Sequence, residues 1–297
     1  MSTPVVPPAQ SRTVEVLKAL GWIALFAIVG LVLTTLIALA YVRLALPPGH
    51  RLSMLDRPGL DSLLLQAITT VAGFGLASWL IGGAANRLTL QDLRWKGTGS
   101  PLLWFPIGLA LGIVPALVAL ALSMIGGHAS VAADSGTATD YLARLIPTLL
   151  VLAPAALSEE IIFRGVPQVL LSKRLGRAAT VTLLSIGFAA AHIKNPNVSP
   201  FALVNIAIAG LFLGAVFYLP GGIWTAFGAH LGWNATLAAS DAPVSGLSFN
   251  LPWINYLPGS PNWVSGGAFG PEGGVVTTLA MGAGMIWVIR RLRQEES

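Results

Sequence analysis

The chain has 297 residues, of which 55% are hydrophobic, only 10% are charged and none is cysteine. A soluble domain usually carries about 25% charged residues, so this composition excludes an ordinary soluble protein. The net charge of +5, with no Lys/Arg run of nucleic-acid type, argues against nucleic-acid binding, and the lack of cysteine excludes disulfide frameworks and thiolate chemistry.

The N-terminus, MSTPVVPPAQ, is polar and Pro-rich and runs into a long apolar stretch without a cleavage site. It reads as a short flexible cytoplasmic tail over residues 1–15, not as a cleaved signal peptide. Membrane helices need about 20 apolar residues. Such runs fall at 17–42, 63–85, 101–125, 143–163, 178–194, 201–219, 222–239 and 274–289. Because unpaired backbone groups are not tolerated in lipid, these should be helices. The expected fold is therefore all-α: a polytopic membrane bundle of about eight transmembrane helices in a single domain over 16–293, with a tail at 294–297.

Orientation follows from the basic residues. With the N-terminus inside, the inner segments collect Arg12, Lys18, Arg87, Arg94, Lys96, Arg164, Lys173, Arg174, Arg177, Arg290, Arg291 and Arg293. The outer segments hold Arg43, Arg51, Arg57, Arg144 and Lys194. Both termini are expected in the cytoplasm, although three arginines in the first outer loop run against the rule. Residues 240–273 contain no Lys or Arg and are expected outside. With Trp253, Tyr256 and Trp263 suited to an interface, this stretch reads as a loop resting on the headgroups, a lid being the other reading.

Ionisable residues within a span cost about 2.5–3.5 kcal/mol each and are functional by default. The acids expected in spans are Glu159 and Glu160, both in the motif core 143–239. Glu160 and Arg164 are four apart with the acid first, the favourable order for a pair on one helix face. Glu159 is turned about 100° away. One carboxylate can thus be neutralised while its neighbour stays free for chemistry. Phe188 and His192 share a face of the next span, and His230 and Asn234 share a face of the one at 222–239. His50 and His128 fall in loops, and Asn205 and Gln66 are further amides within spans. Gly228/Gly232 and Gly210/Gly214 are small-xxx-small pairs that let helices approach closely. If the fourth helix runs on to the basic turn at 173–177, Glu159 and His192 lie about 21–23 Å along their helices from it, at matching depth.

Each group alone has a plain explanation. An intramembrane His or Asn can be an interhelical hydrogen-bonding group, and a Glu pair fits a proton or cation relay in a transporter. The ordered set Glu159-Glu160-xxx-Arg164, Phe188-xxx-His192 and His230-xxx-Asn234 resembles the three-motif signature of the CPBP family, the CAAX-processing and bacteriocin-processing (Abi) intramembrane proteases. Neither HExxH nor GxSG is present. The resemblance implies an endopeptidase cutting a membrane-associated peptide or protein. Glu159 and His192 would activate water, His230 and Asn234 would hold the oxyanion, and Glu160, Arg164 and Phe188 would support them. No cofactor is expected; the alternative is a zinc ion on Glu159, His192 and His230. The Ala/Gly-rich composition points to a bacterial inner membrane. The competing function is a non-enzymatic membrane protein, either a proton-coupled transporter or a family scaffold.

Overall fold

The computed structural model describes residues 12–46 and 59–296. Residues 1–11 of the expected tail, and His50, Arg51 and Arg57 of the first outer loop, lie outside the described residues, as does Ser297. Helix α1 spans Arg12–Leu44, so residues 12–15 are helical and not part of a tail. It is followed by α2 (Leu60–Ala77, continued as a π-helical turn to Ala85) and α3 (Pro101–Gly127). Next come α4 (Ala138–Arg164), α5 (Val166–Leu175), α6 (Arg177–Ala191), α7 (Pro200–Val216) and α8 (Ile223–Ala239). A short turn α9 (Asn262–Ser265) precedes α10 (Val275–Glu296). The described strands are β1 (Ser130–Ala133) and β2 (Ile254–Leu257), an antiparallel pair with Val131 opposite Tyr256.

The fold is thus nearly all-α. Five helical stretches are long and apolar enough to cross a membrane: 12–44, 60–85, 101–127, 138–175 and 275–294. Helices α6 and α7 are apolar but shorter, with 15 and 17 residues, and the 17-residue α8 carries His230 and Asn234. The outer faces are greasy: Leu102, Leu31, Ile28 and Ile125 are all well exposed, as suits helices that meet lipid.

Small residues set the closest packing. Helix α8 crosses α3 where Gly228 and Gly232 face Gly108 and Gly112. A Cβ on Gly228 would sit 2.5 Å from the Phe105 carbonyl oxygen, and one on Gly232 2.4 Å from that of Leu109. On the facing helix, a Cβ on Gly112 would lie 2.0 Å from the Ala229 carbonyl oxygen. Gly210 and Gly214 play the same part between α7 and α6, where a Cβ would meet Ser185 and Val181 at 2.9 and 2.8 Å.

Polar side chains close the helix ends. Thr137 and Asp140 form a capping box at the start of α4, with Asp140 N–H donating to Thr137 Oγ1 at 3.2 Å. Arg94 donates to the carbonyls of Phe217, Tyr218 and Leu219 at 3.0, 3.0 and 2.8 Å, covering the orphan acceptors after α7.

Two expectations change. The fourth helix does not run unbroken to the basic turn: Gly165 (φ −71°, ψ −121°) breaks it, and Pro167 opens a new helix, α5, where a missing N–H costs nothing. Nor does the stretch 240–273 simply rest on a surface. Trp253 and Trp263 are exposed, but Tyr256 is buried against β1, and residues 269–274 are buried within the bundle. Asn205 on α7 holds this return segment, donating from Nδ2 to the carbonyls of Glu272 and Gly274, both at 2.8 Å.

The α3–α8 crossing supplies a test. Gly232→Val should lower stability by about 1–3 kcal/mol, read as a fall in the thermal midpoint of the purified protein in detergent. An unchanged midpoint would mean that the two helices are free to move apart.

Candidate active site

Helix α4 carries Glu159, Glu160 and Arg164 to the centre of the bundle. Glu160 is fully buried and Arg164 is 2% exposed. The guanidinium meets Glu160 Oε1 through Nη1 at 3.4 Å and donates from Nη2 to the Gly210 carbonyl at 3.2 Å. Arg164 also lies over the Phe188 ring, 4.6 Å from its centroid. One turn on, Gln168 Nε2 donates to the Gly214 carbonyl at 2.9 Å. The glycines that let α7 approach therefore also offer their carbonyls to the polar face of α4 and α5.

Glu160 has a second partner. His230 Nδ1 lies 2.8 Å from the same Oε1. A carboxylate accepts, so Nδ1 carries the proton and donates. His192 sits at the C-terminal cap of α6, where its Nδ1 donates to the Phe188 carbonyl at 2.8 Å. Both imidazoles are thereby oriented through Nδ1, and both turn Nε2 towards one atom. Glu159 Oε2 is 3.9 Å from His192 Nε2 and 3.8 Å from His230 Nε2. These spans are too long for direct hydrogen bonds and suit a shared small molecule between the groups. Glu159 Oε2 is itself buried and has no hydrogen-bond partner among the described residues.

Phe188 is the wedge of the cluster. Its ring is 4.8 Å from that of His192, 6.1 Å from that of His230 and 5.2 Å from that of Phe163, with Arg164 across its face. Asn234 is one turn beyond His230 on α8 and makes no side-chain hydrogen bond within the described residues, so its amide is available. All seven residues singled out in the sequence are thus brought to one place.

Glu159, His192 and His230 do not stand as a ready zinc site. Ligands of a tetrahedral zinc at 2.0–2.1 Å lie about 3.3 Å apart, and the separations of 3.8 and 3.9 Å are wider. Among the described residues no group of three His, Cys, Asp or Glu has metal-holding geometry.

A partly open cavity adjoins the cluster. His192, His230 and Asn234 form one wall, while Phe188, Ile206, Phe212, Leu213 and Met281 make most of the rest apolar. Glu159 is not part of the lining and meets this space through the two imidazoles. The remaining polar wall is Ser245 and Glu272, from the stretch expected to lie outside. Glu272 was not among the residues picked from the sequence. The available signal was a lone acid between Pro271 and the Gly273-Gly274 pair, in a stretch without any base.

Residues 141–236 match the family model described as type II CAAX prenyl endopeptidase Rce1-like. That match bears out the resemblance to the CPBP family. It covers about a third of the chain, and it contains all three motifs. Neither the curated proteins nor the solved structures compared with the chain gave a match.

Removing one partner of a buried ion pair strands the other charge and costs about 3–5 kcal/mol. Arg164→Leu should therefore lower the thermal midpoint in detergent far more than a surface change such as Lys18→Leu. Similar midpoints for the two variants would show that Arg164 does not hold the cluster together.

Proposed function

We propose that the protein is an intramembrane endopeptidase that hydrolyses a peptide bond of a membrane-associated peptide or protein. The observation that carries this reading is the convergence of His192 Nε2 and His230 Nε2 on Glu159 Oε2, with Asn234 one turn away.

Peptide hydrolysis needs a base for water and donors for the oxyanion. Glu159 Oε2 takes a proton from the attacking water. His192, whose Nε2 is the bare nitrogen, accepts the other hydrogen bond from that water, and the proton taken up by Glu159 then passes through His192 Nε2 to the leaving amine. His230 donates from Nδ1 to Glu160. In the form that carries a second proton, its Nε2–H and the Asn234 amide donate to the developing oxyanion. In that form Arg164 and His230 balance Glu159 and Glu160, and the site has no net formal charge. Glu160, Arg164 and Phe188 act on position, not on substrate. No step in this mechanism is routed through a metal.

The topology proposed with it has eight crossings, both termini cytoplasmic, in a single domain over residues 16–293 of a bacterial inner membrane. Helices α6, α7 and α8 make up the three shorter crossings. Nothing in the donor set selects a prenylated tail over another membrane-proximal peptide, so the substrate class is stated no more finely.

The test is cleavage of a library of membrane peptides by purified protein in detergent. Wild type should cleave and keep its activity under a chelator, whereas Glu159→Gln should abolish turnover. Asn234→Ala should lower kcat by about 10²–10³-fold, the usual loss for one oxyanion donor. Activity lost under chelation would replace the metal-free mechanism with a zinc-dependent one. Full turnover by Glu159→Gln would contradict the assignment of the base. Absence of cleavage by folded wild type across the library would favour a non-enzymatic transporter or scaffold.

A further inference from the structure

Glu272 is the acid that the proposed chemistry leaves unused. It is 7% exposed, and it shares a cavity with His192, His230 and Asn234. Its carboxylate is held at both oxygens. Trp233 Nε1–H donates to Oε1 at 3.1 Å, and the backbone N–H of Ser245 donates to Oε2. Its own carbonyl accepts from Asn205, whose Oδ1 in turn accepts from Thr278 Oγ1 at 2.6 Å. The backbone of Glu272 is therefore held from α7, and its carboxylate is held from α8 and the return segment against the cavity wall.

Two features of this clamp bear on charge. Each oxygen accepts from an N–H donor, an arrangement that suits the ionised carboxylate. Yet among the described residues no Lys, Arg or His lies within ion-pair distance of it, and His192 on the same cavity wall acts on it only from farther off, whereas Glu160 has both Arg164 and His230 in contact. A carboxylate can accept about four hydrogen bonds, so even with Trp233 and the backbone and side chain of Ser245 against it some acceptor capacity remains beside an apolar cavity. Burying an ionised group without a counter-charge is costly, and a cation brought by a ligand would relieve that cost.

We propose that Glu272 is a substrate-recognition residue: it pairs with the cationic side chain of a lysine or arginine that enters the cavity next to the scissile bond. Phe188, Ile206, Phe212, Leu213 and Met281 would pack along the aliphatic stem, and the carboxylate would take the charged head at the polar end. The inference rests on the hydrolase reading for the phrase "scissile bond" but not for the binding itself.

The experiment separates the two. Lysine is walked along a membrane peptide, with norleucine at the same positions as the uncharged control, and binding is measured to Glu159→Gln protein in detergent. At one position the lysine peptide should bind about tenfold or more tightly than its norleucine partner. Adding Glu272→Gln should erase that difference, while Glu272→Asp, which keeps the charge, should retain part of it. Equal binding of the two peptides at every position, binding of neither, or a preference that survives Glu272→Gln would overturn the inference. The comparison of lysine with norleucine needs no change at Glu272, so a Glu272→Gln protein that fails to fold leaves the test standing on the peptides and on Glu272→Asp. A lysine preference in binding without turnover by wild type would sink the hydrolase reading alone. Turnover without any lysine preference would sink the recognition role alone.

Discussion

The organisation of the site depends on the neutralisation of Glu160 in a bundle whose outside is apolar. Glu160 is fully buried, and its Oε1 is shared between Arg164 and His230. That single oxygen ties α4 to α8, while Arg164 extends the tie to α7 through the Gly210 carbonyl and to α6 through the face of Phe188. Four helices are thus anchored to one buried charge. Leaving such a charge unpaired would cost more than most single contacts in a protein return. The neighbouring Glu159 is exempt from this duty, and its Oε2 remains without a partner at the point where the two imidazoles converge.

Both histidines are oriented by what their Nδ1 atoms do. His230 is turned by Glu160, and His192 is turned by the last free carbonyl turn of its own helix. The motif spacing now has a physical reason at each position. Phe188 and His192 must be four apart because the ring of one packs on the ring of the other, and because the backbone of one holds Nδ1 of the other. His230 and Asn234 must be four apart to face the same cavity.

Much of this was legible in the sequence, because helical spacing is a local property. The split of roles between Glu159 and Glu160, the shared faces of Phe188/His192 and His230/Asn234, and the close approach at Gly210/Gly214 and Gly228/Gly232 all follow from a periodicity of 3.6. What could not be read depends on contacts between distant segments. Gly108 and Gly112 look like ordinary apolar-helix glycines until α8 is laid across them. Arg94 counts as a loop base in a charge tally, yet it caps the carbonyls after α7. Glu272 was hidden for the same reason. A Gly- and Pro-rich stretch between two spans reads as a loop, and only Asn205, Trp233 and Ser245 reveal that it turns back into the bundle. The chain break at Gly165 is another such case, since Pro167 alone allowed a bend or a fresh helix start.

The division of labour between the adjacent glutamates is tested most directly by comparing the thermal midpoints of Glu159→Gln and Glu160→Gln in the same detergent. Glu159→Gln should melt at or above the wild-type temperature, because it removes a partly exposed charge whose buried oxygen, Oε2, is not hydrogen-bonded within the site. Glu160→Gln should melt well below it, because Arg164 loses its counter-charge. Equal midpoints, or the reverse order, would contradict the account.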